Sequence, residues 1–161
     1  MRFQLQFGAG LRYCQCYRST AITGFEDRQI KFVFKSLFSK KPPLQGAPAT
    51  RRMKTYSAQS GYVYHYYYEG RRASGSALEF VFTVASGRLP ARPCSAFLEN
   101  GALAAWQRRH SRELSSAEQY ALVKMALFQA FDERPSPAAM DAPIRVGASE
   151  AEAFSETLGL D

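Results

Sequence analysis

Seven consecutive residues, Tyr62-Val63-Tyr64-His65-Tyr66-Tyr67-Tyr68, constrain this chain more than any other stretch. Aromatic and β-branched side chains suit a pleated, half-buried surface, so a strand is expected here. Side chains alternate faces along a strand. Tyr62, Tyr64, Tyr66 and Tyr68 then share one side, and Val63, His65 and Tyr67 the other. A second run follows in which Leu78, Phe80, Phe82 and Val84 alternate with Glu79, Val81 and Thr83. Glu69-Gly70 and Ser74-Gly75-Ser76 lie between the runs and supply turn residues. The pair reads as a β-hairpin whose apolar face a later helix must cover.

That helix is written further along. Ser115-Ser116-Ala117-Glu118 is a capping box, in which the serine hydroxyl serves the N3 amide and the glutamate reaches back. The run to Glu133 holds Tyr120, Leu122, Val123, Met125, Leu127, Phe128 and Phe131, more than one apolar stripe, so the helix should be largely buried. Pro135 ends it at the latest. Ahead of it, Ala96-Phe97-Leu98 reads as a short third strand and Ala102 to Arg109 as a short helix with Trp106 as its core anchor. Arg88-Leu89-Pro90-Ala91-Arg92-Pro93 is a basic loop that its prolines keep out of a central strand. Arg108, Arg109, His110 and Arg112 suit the negative end of that helix, or form a phosphate-binding cluster with Arg88 and Arg92.

The expected fold class is α+β: a small antiparallel aromatic-rich sheet, a β-hairpin plus a short third strand, covered by a short helix and a long C-terminal helix. The β-β-β-α order with positive charge is similar, at the level of element order, to double-stranded RNA-binding domains. Those domains start their last helix with lysines. Ser115-Ser116-Ala117-Glu118-Gln119 carries no cation, so no binding residue is carried over.

Three regions are expected. Residues 1–52 form a basic N-terminal segment ending in a Pro/Gly/Ala linker from Pro42 to Thr50. Residues 53–135 form one globular α+β domain, and residues 136–161 an acidic C-terminal tail, peripheral to it, with Ser149 to Leu158 as a candidate short helix. Phe3, Leu5 and Phe7 alternate in strand fashion ahead of Gly8-Ala9-Gly10, and a small hairpin is read there. Part of the N-terminal segment, residues 1–32, is also a candidate over-extended gene model, because Val33 can be encoded by an alternative start codon and the preceding residues are weakly patterned.

Charge is uneven. The chain carries +7 overall, yet from Ser136 onward Arg145 alone faces Asp141, Glu150, Glu152, Glu156 and Asp161. The excess lies mostly before the hairpin, where it would draw the chain to a phosphate-rich surface, nucleic acid or anionic lipid. Ile30, Val33, Phe34, Leu37 and Phe38 fall on one helical face beside Lys31, Lys35, Lys40 and Lys41, the pattern of an interfacial anchor within residues 30–41. No apolar run approaches the ~20 residues of a transmembrane helix. Three cysteines, Cys14, Cys16 and Cys94, make no disulfide framework, and the Cys14–Cys16 spacing is too short for a zinc pair. A cytoplasmic location, at the membrane periphery if the 30–41 anchor operates, is the simplest reading.

Catalysis needs groups within hydrogen-bond reach and oriented by a third. Cys94 with His110, or His65 with Glu69 or Glu79, are the pairs to inspect, and nothing in their spacing enforces contact. No catalytic residue, metal site or cofactor is assigned. The leading expectation is a small non-enzymatic binding or adaptor domain of unspecified partner. A nucleic-acid-binding domain is the first alternative, through Arg71, Arg72, Arg88, Arg92 and the rings of Tyr62, Tyr64, Tyr66 and Tyr68. The second is a peripheral membrane protein held by Ile30, Val33, Phe34, Leu37 and Phe38.

Overall fold

A computed structural model describes residues 41–160 of the chain. The N-terminal hairpin, the Cys14–Cys16 pair, the interfacial anchor from Ile30 to Phe38 and the alternative start at Val33 lie outside the described residues.

The aromatic run forms the long strand β2 (Val63–Ser74), and the second run forms β3 (Ala77–Ser86). They pair antiparallel from Tyr64↔Ser86 to Ser74↔Ala77, and Gly75 turns between them with φ +59°. Glu69-Gly70 is not a turn, as the sequence suggests, but a bulge inside β2, where the register shifts between Tyr68 and Gly70. A bulge keeps the strand running while changing which face each following residue occupies. Arg71, opposite Phe80, thereby joins the face of the even tyrosines, and Arg72, opposite Glu79, takes the other.

The sheet has five strands, in the order β1-β2-β3-β4-β5, rather than a hairpin and a short third strand. β1 (Lys54–Ser57) pairs antiparallel with the start of β2. β4 (Arg92–Glu99) pairs antiparallel with β3 along its whole length. Pro93 lies within β4, opposite Thr83, despite the expectation that prolines exclude this stretch. The reason is local: β5 (Ile144–Val146) runs parallel to β4 and pairs only with Ala96 to Leu98, so no strand on that side asks Pro93 for an amide.

Three helices pack with the sheet. α1 (Asn100–His110) continues directly from β4, and α2 (Ser116–Glu133) follows after a short turn. The capping box is present: Ser115 N–H donates to Glu118 Oε2 at 2.7 Å, and Glu118 N–H donates to Ser115 Oγ at 3.3 Å. α3 (Ala148–Leu158) follows β5. The region from residue 136, expected to be a peripheral tail, thus contributes a strand and a helix with Ile144, Val146, Ala151 and Ser155 buried. The β-β-β-β-α-α-β-α order among the described residues is not the one shared with double-stranded RNA-binding domains.

The core lies between the sheet and α2. Tyr64, Tyr66, Phe80, Phe82, Cys94, Ala96 and Leu98 meet Leu122, Val123, Leu127 and Phe131. Tyr64 stacks on Phe131 with centroids 4.1 Å apart and planes at 11°, while Tyr66 meets Phe128 edge-on at 5.9 Å and 80°. Each buried ring of this kind stabilises the fold by about 1.5–3 kcal/mol through removal from water, with ~1 kcal/mol more from ring geometry.

Candidate binding recess

The segment from Lys41 to Met53 crosses the free edge of β2 as an extended strap. Gln45 and Arg71 exchange two backbone hydrogen bonds of 2.8 Å each. Gly70 permits the crossing. Its φ is +136°, and a Cβ there would stand 2.9 Å from Gln45 O and 3.1 Å from Leu44 Cβ. Lys41 Nζ reaches Glu79 Oε1 at 3.4 Å. Arg51 donates to Glu69, with Nε to Oε1 at 3.1 Å, and its guanidinium lies 4.3 Å from the Tyr67 ring centre. The strap, read from sequence as a linker with little fixed structure, is therefore tied down at both ends.

Between its ties the strap lines an open recess of about 570 Å³, together with Lys54, Tyr68 and Tyr120; its own share is Gly46, Pro48, Ala49, Thr50 and Arg52. Tyr68 and Tyr120, both half-buried, bring their ring centres to 4.8 Å at 53°. Lys54 Nζ donates to Tyr120 Oη at 3.3 Å and stands 5.6 Å from that ring's centre. Arg52 is exposed and makes no hydrogen bond or ion pair among the described residues. Burial pushes the Tyr68 phenol above its usual range, and nearby Arg71 opposes that shift, so the ring stays neutral at physiological pH.

Arg71 and Arg72 of the hairpin, and Arg92 of β4, each have partners. Arg71 donates to Gln119 Oε1 at 2.9 Å and to Ser116 Oγ at 2.7 Å, tying β2 to the start of α2. Arg72 grips Glu79 with Nε to Oε2 at 2.7 Å and Nη2 to Oε1 at 3.1 Å. Arg92 Nη1 pairs with Asp141 Oδ2 at 2.7 Å. Arg88 is exposed in the β3–β4 turn.

The expected nucleic-acid set is not gathered into one surface. Tyr64 and Tyr66 are buried under α2 and present no ring face to a base, and Tyr62 stands at the opposite end of β2 from Arg71. A rise of ~3.3 Å per residue puts roughly 30 Å between Tyr62 and Arg71. Tyr68 alone of the four lines the recess. Sequence reasoning missed Arg52, Lys54 and Tyr120. The signal available was the closely spaced Arg51, Arg52 and Lys54, but their meeting with α2 depends on β1, which four short residues hardly announce.

His65 is hydrogen-bonded to neither Glu69 nor Glu79, and Cys94 is not bonded to His110. His65 Nδ1 lies 3.1 Å from Thr55 Oγ1, and Glu69 accepts from Thr83 and Arg51. His110 stacks on Trp106 at 4.3 Å and lies 3.3 Å from Glu152 Oε1. Cys94 is buried, and burial pushes its thiol up to about 11, far from a reactive thiolate. Among the described residues no three His, Cys, Asp or Glu side chains come together as a metal site. None of the described helices is long and apolar enough to cross a membrane. A small, partly open cavity of about 20 Å³, lined in part by Tyr64, Cys94, Met140 and Asp141, has room for little more than one water. No protein-family model, curated protein or solved structure matches the chain.

Proposed function

We propose that the domain is a non-enzymatic binding module and that its ligand site is the strap recess, which takes an anion. The observation that carries this reading is the exposed Arg52, with no ion pair among the described residues, beside Lys54 and two tyrosine rings, whereas Arg51 and Arg72 nearby are each paired with a glutamate. A concave site of a few hundred Å³ with a few convergent polar groups is the usual form of a small-ligand pocket. Neither cation supports the core, so both can be changed without unfolding the protein.

A ligand that binds only the folded state raises the melting temperature by mass action. Thermal unfolding of the full chain with millimolar phosphate monoesters and carboxylates is expected to show a rise of several degrees. The Arg52→Ala/Lys54→Ala double variant is expected to melt normally without ligand and to lose that rise. An equal rise in both proteins, or none in either, would contradict the reading.

A further inference from the structure

We propose that the recess is specific for a small aromatic anion, with the acid group held between Arg52 and Lys54 and the ring laid against Tyr68 and Tyr120; this rests on the anion-binding reading above. The two halves of the site differ in chemistry. Arg52 and Lys54 supply charged donors, and a guanidinium is well matched to the oxygens of a phosphate or carboxylate. Tyr68 and Tyr120 supply half-buried π surfaces within the same recess, where a planar ring gains both burial and stacking. The third wall, Gly46, Pro48 and Ala49, has small side chains and leaves the rings open to a flat ligand.

Size and surroundings favour a small molecule over a polymer. A strand of nucleic acid needs a track of cations to neutralise successive phosphates. Beyond the recess, Arg72 of the hairpin is paired with Glu79 and Arg51 of the strap with Glu69, while Arg71 is held by Gln119 and Ser116. The strap, held to β2 at Gln45, supplies Gly46, Pro48, Ala49 and Thr50 to the recess wall.

The test is isothermal titration calorimetry of the full chain with adenosine 5′-monophosphate, ribose 5-phosphate, adenosine and a twelve-residue oligothymidylate. The monophosphate is expected to bind at least ten-fold tighter than ribose 5-phosphate or adenosine. Arg52→Ala and Lys54→Ala are each expected to weaken it about ten-fold, with Arg52→Lys recovering part of the loss. Equal binding of ribose 5-phosphate would overturn the aromatic requirement and leave the anion site standing. Equal binding of adenosine would overturn the acid-group requirement. Tighter, steeply salt-dependent binding of the oligothymidylate would replace the small ligand with a polymer. No binding by any probe would overturn both this inference and the reading beneath it.

Discussion

Glu79 lies on the sheet face away from α2, fully shielded, and accepts from Arg72, Ser95 Oγ at 2.8 Å and Lys41. The bond from Arg72 is the largest influence on its carboxyl; burial opposes it, and the sum lowers the pKa from 4.5 to about 2. A carboxylate depressed on folding contributes stability that is fully present above the unfolded value and is lost as pH falls through the folded one. The loss therefore falls between about pH 4.5 and pH 2, and is on the order of 2–3 kcal/mol. Chemical denaturation followed across that window should show it, and Glu79→Gln should flatten the acid limb while lowering stability at pH 7. Tyr64 is the opposite case. Its hydroxyl is buried with no hydrogen-bond partner among the described residues, so Tyr64→Phe should change stability by no more than about 1 kcal/mol, read from the urea midpoint.

At the scale of elements, two local devices set positions that the site depends on. The capping box fixes where α2 begins, and Ser116 and Gln119 in its first turn hold Arg71. Ser115→Ala is expected to cost about 1 kcal/mol, measured by thermal unfolding. Gly70 sets the strap. Gly70→Ala would force a Cβ to 2.9 Å from Gln45 O at a φ of +136°, so the strap must lift. Amide exchange at Gln45 and Arg71 should then accelerate by at least ten-fold while exchange in α2 changes little. Much at this scale was legible from sequence. The capping box, the alternation of β3 and the apolar crowding of α2 each follow from local chemistry, and each is present in the structure. The bulge at Glu69-Gly70 was not legible, because the same two residues also spell a turn. Nothing local separates the two outcomes; the close passage of Leu44 and Gln45 over Gly70 does.

The whole molecule shows why the rest stayed hidden. β5 is three residues long, and its pairing with β4 joins positions nearly fifty residues apart, so no pattern within a window reveals it. A chain ending at Ala142 would lose the buried Ile144, Val146 and Ala151 and expose one edge of β4. That is expected to remove roughly 5 kcal/mol of burial and to abolish cooperative melting by circular dichroism. The recess has the same long-range origin. Arg52 and Lys54 come from the strap and β1, Tyr68 from β2 and Tyr120 from α2, and only the assembled fold brings them to one place. Of the even tyrosines, for which sequence left both core packing and an exposed platform open, Tyr64 and Tyr66 lie in the core, Tyr68 lines the recess and Tyr62 is exposed. The most direct test of this account is an amide chemical-shift map of the folded chain titrated with adenosine 5′-monophosphate. The account predicts shifts confined to residues 46–54, Tyr68 and the turn of α2 around Tyr120. Shifts centred instead on Tyr62, Arg88 and Arg92, at the far end of the sheet, would contradict it.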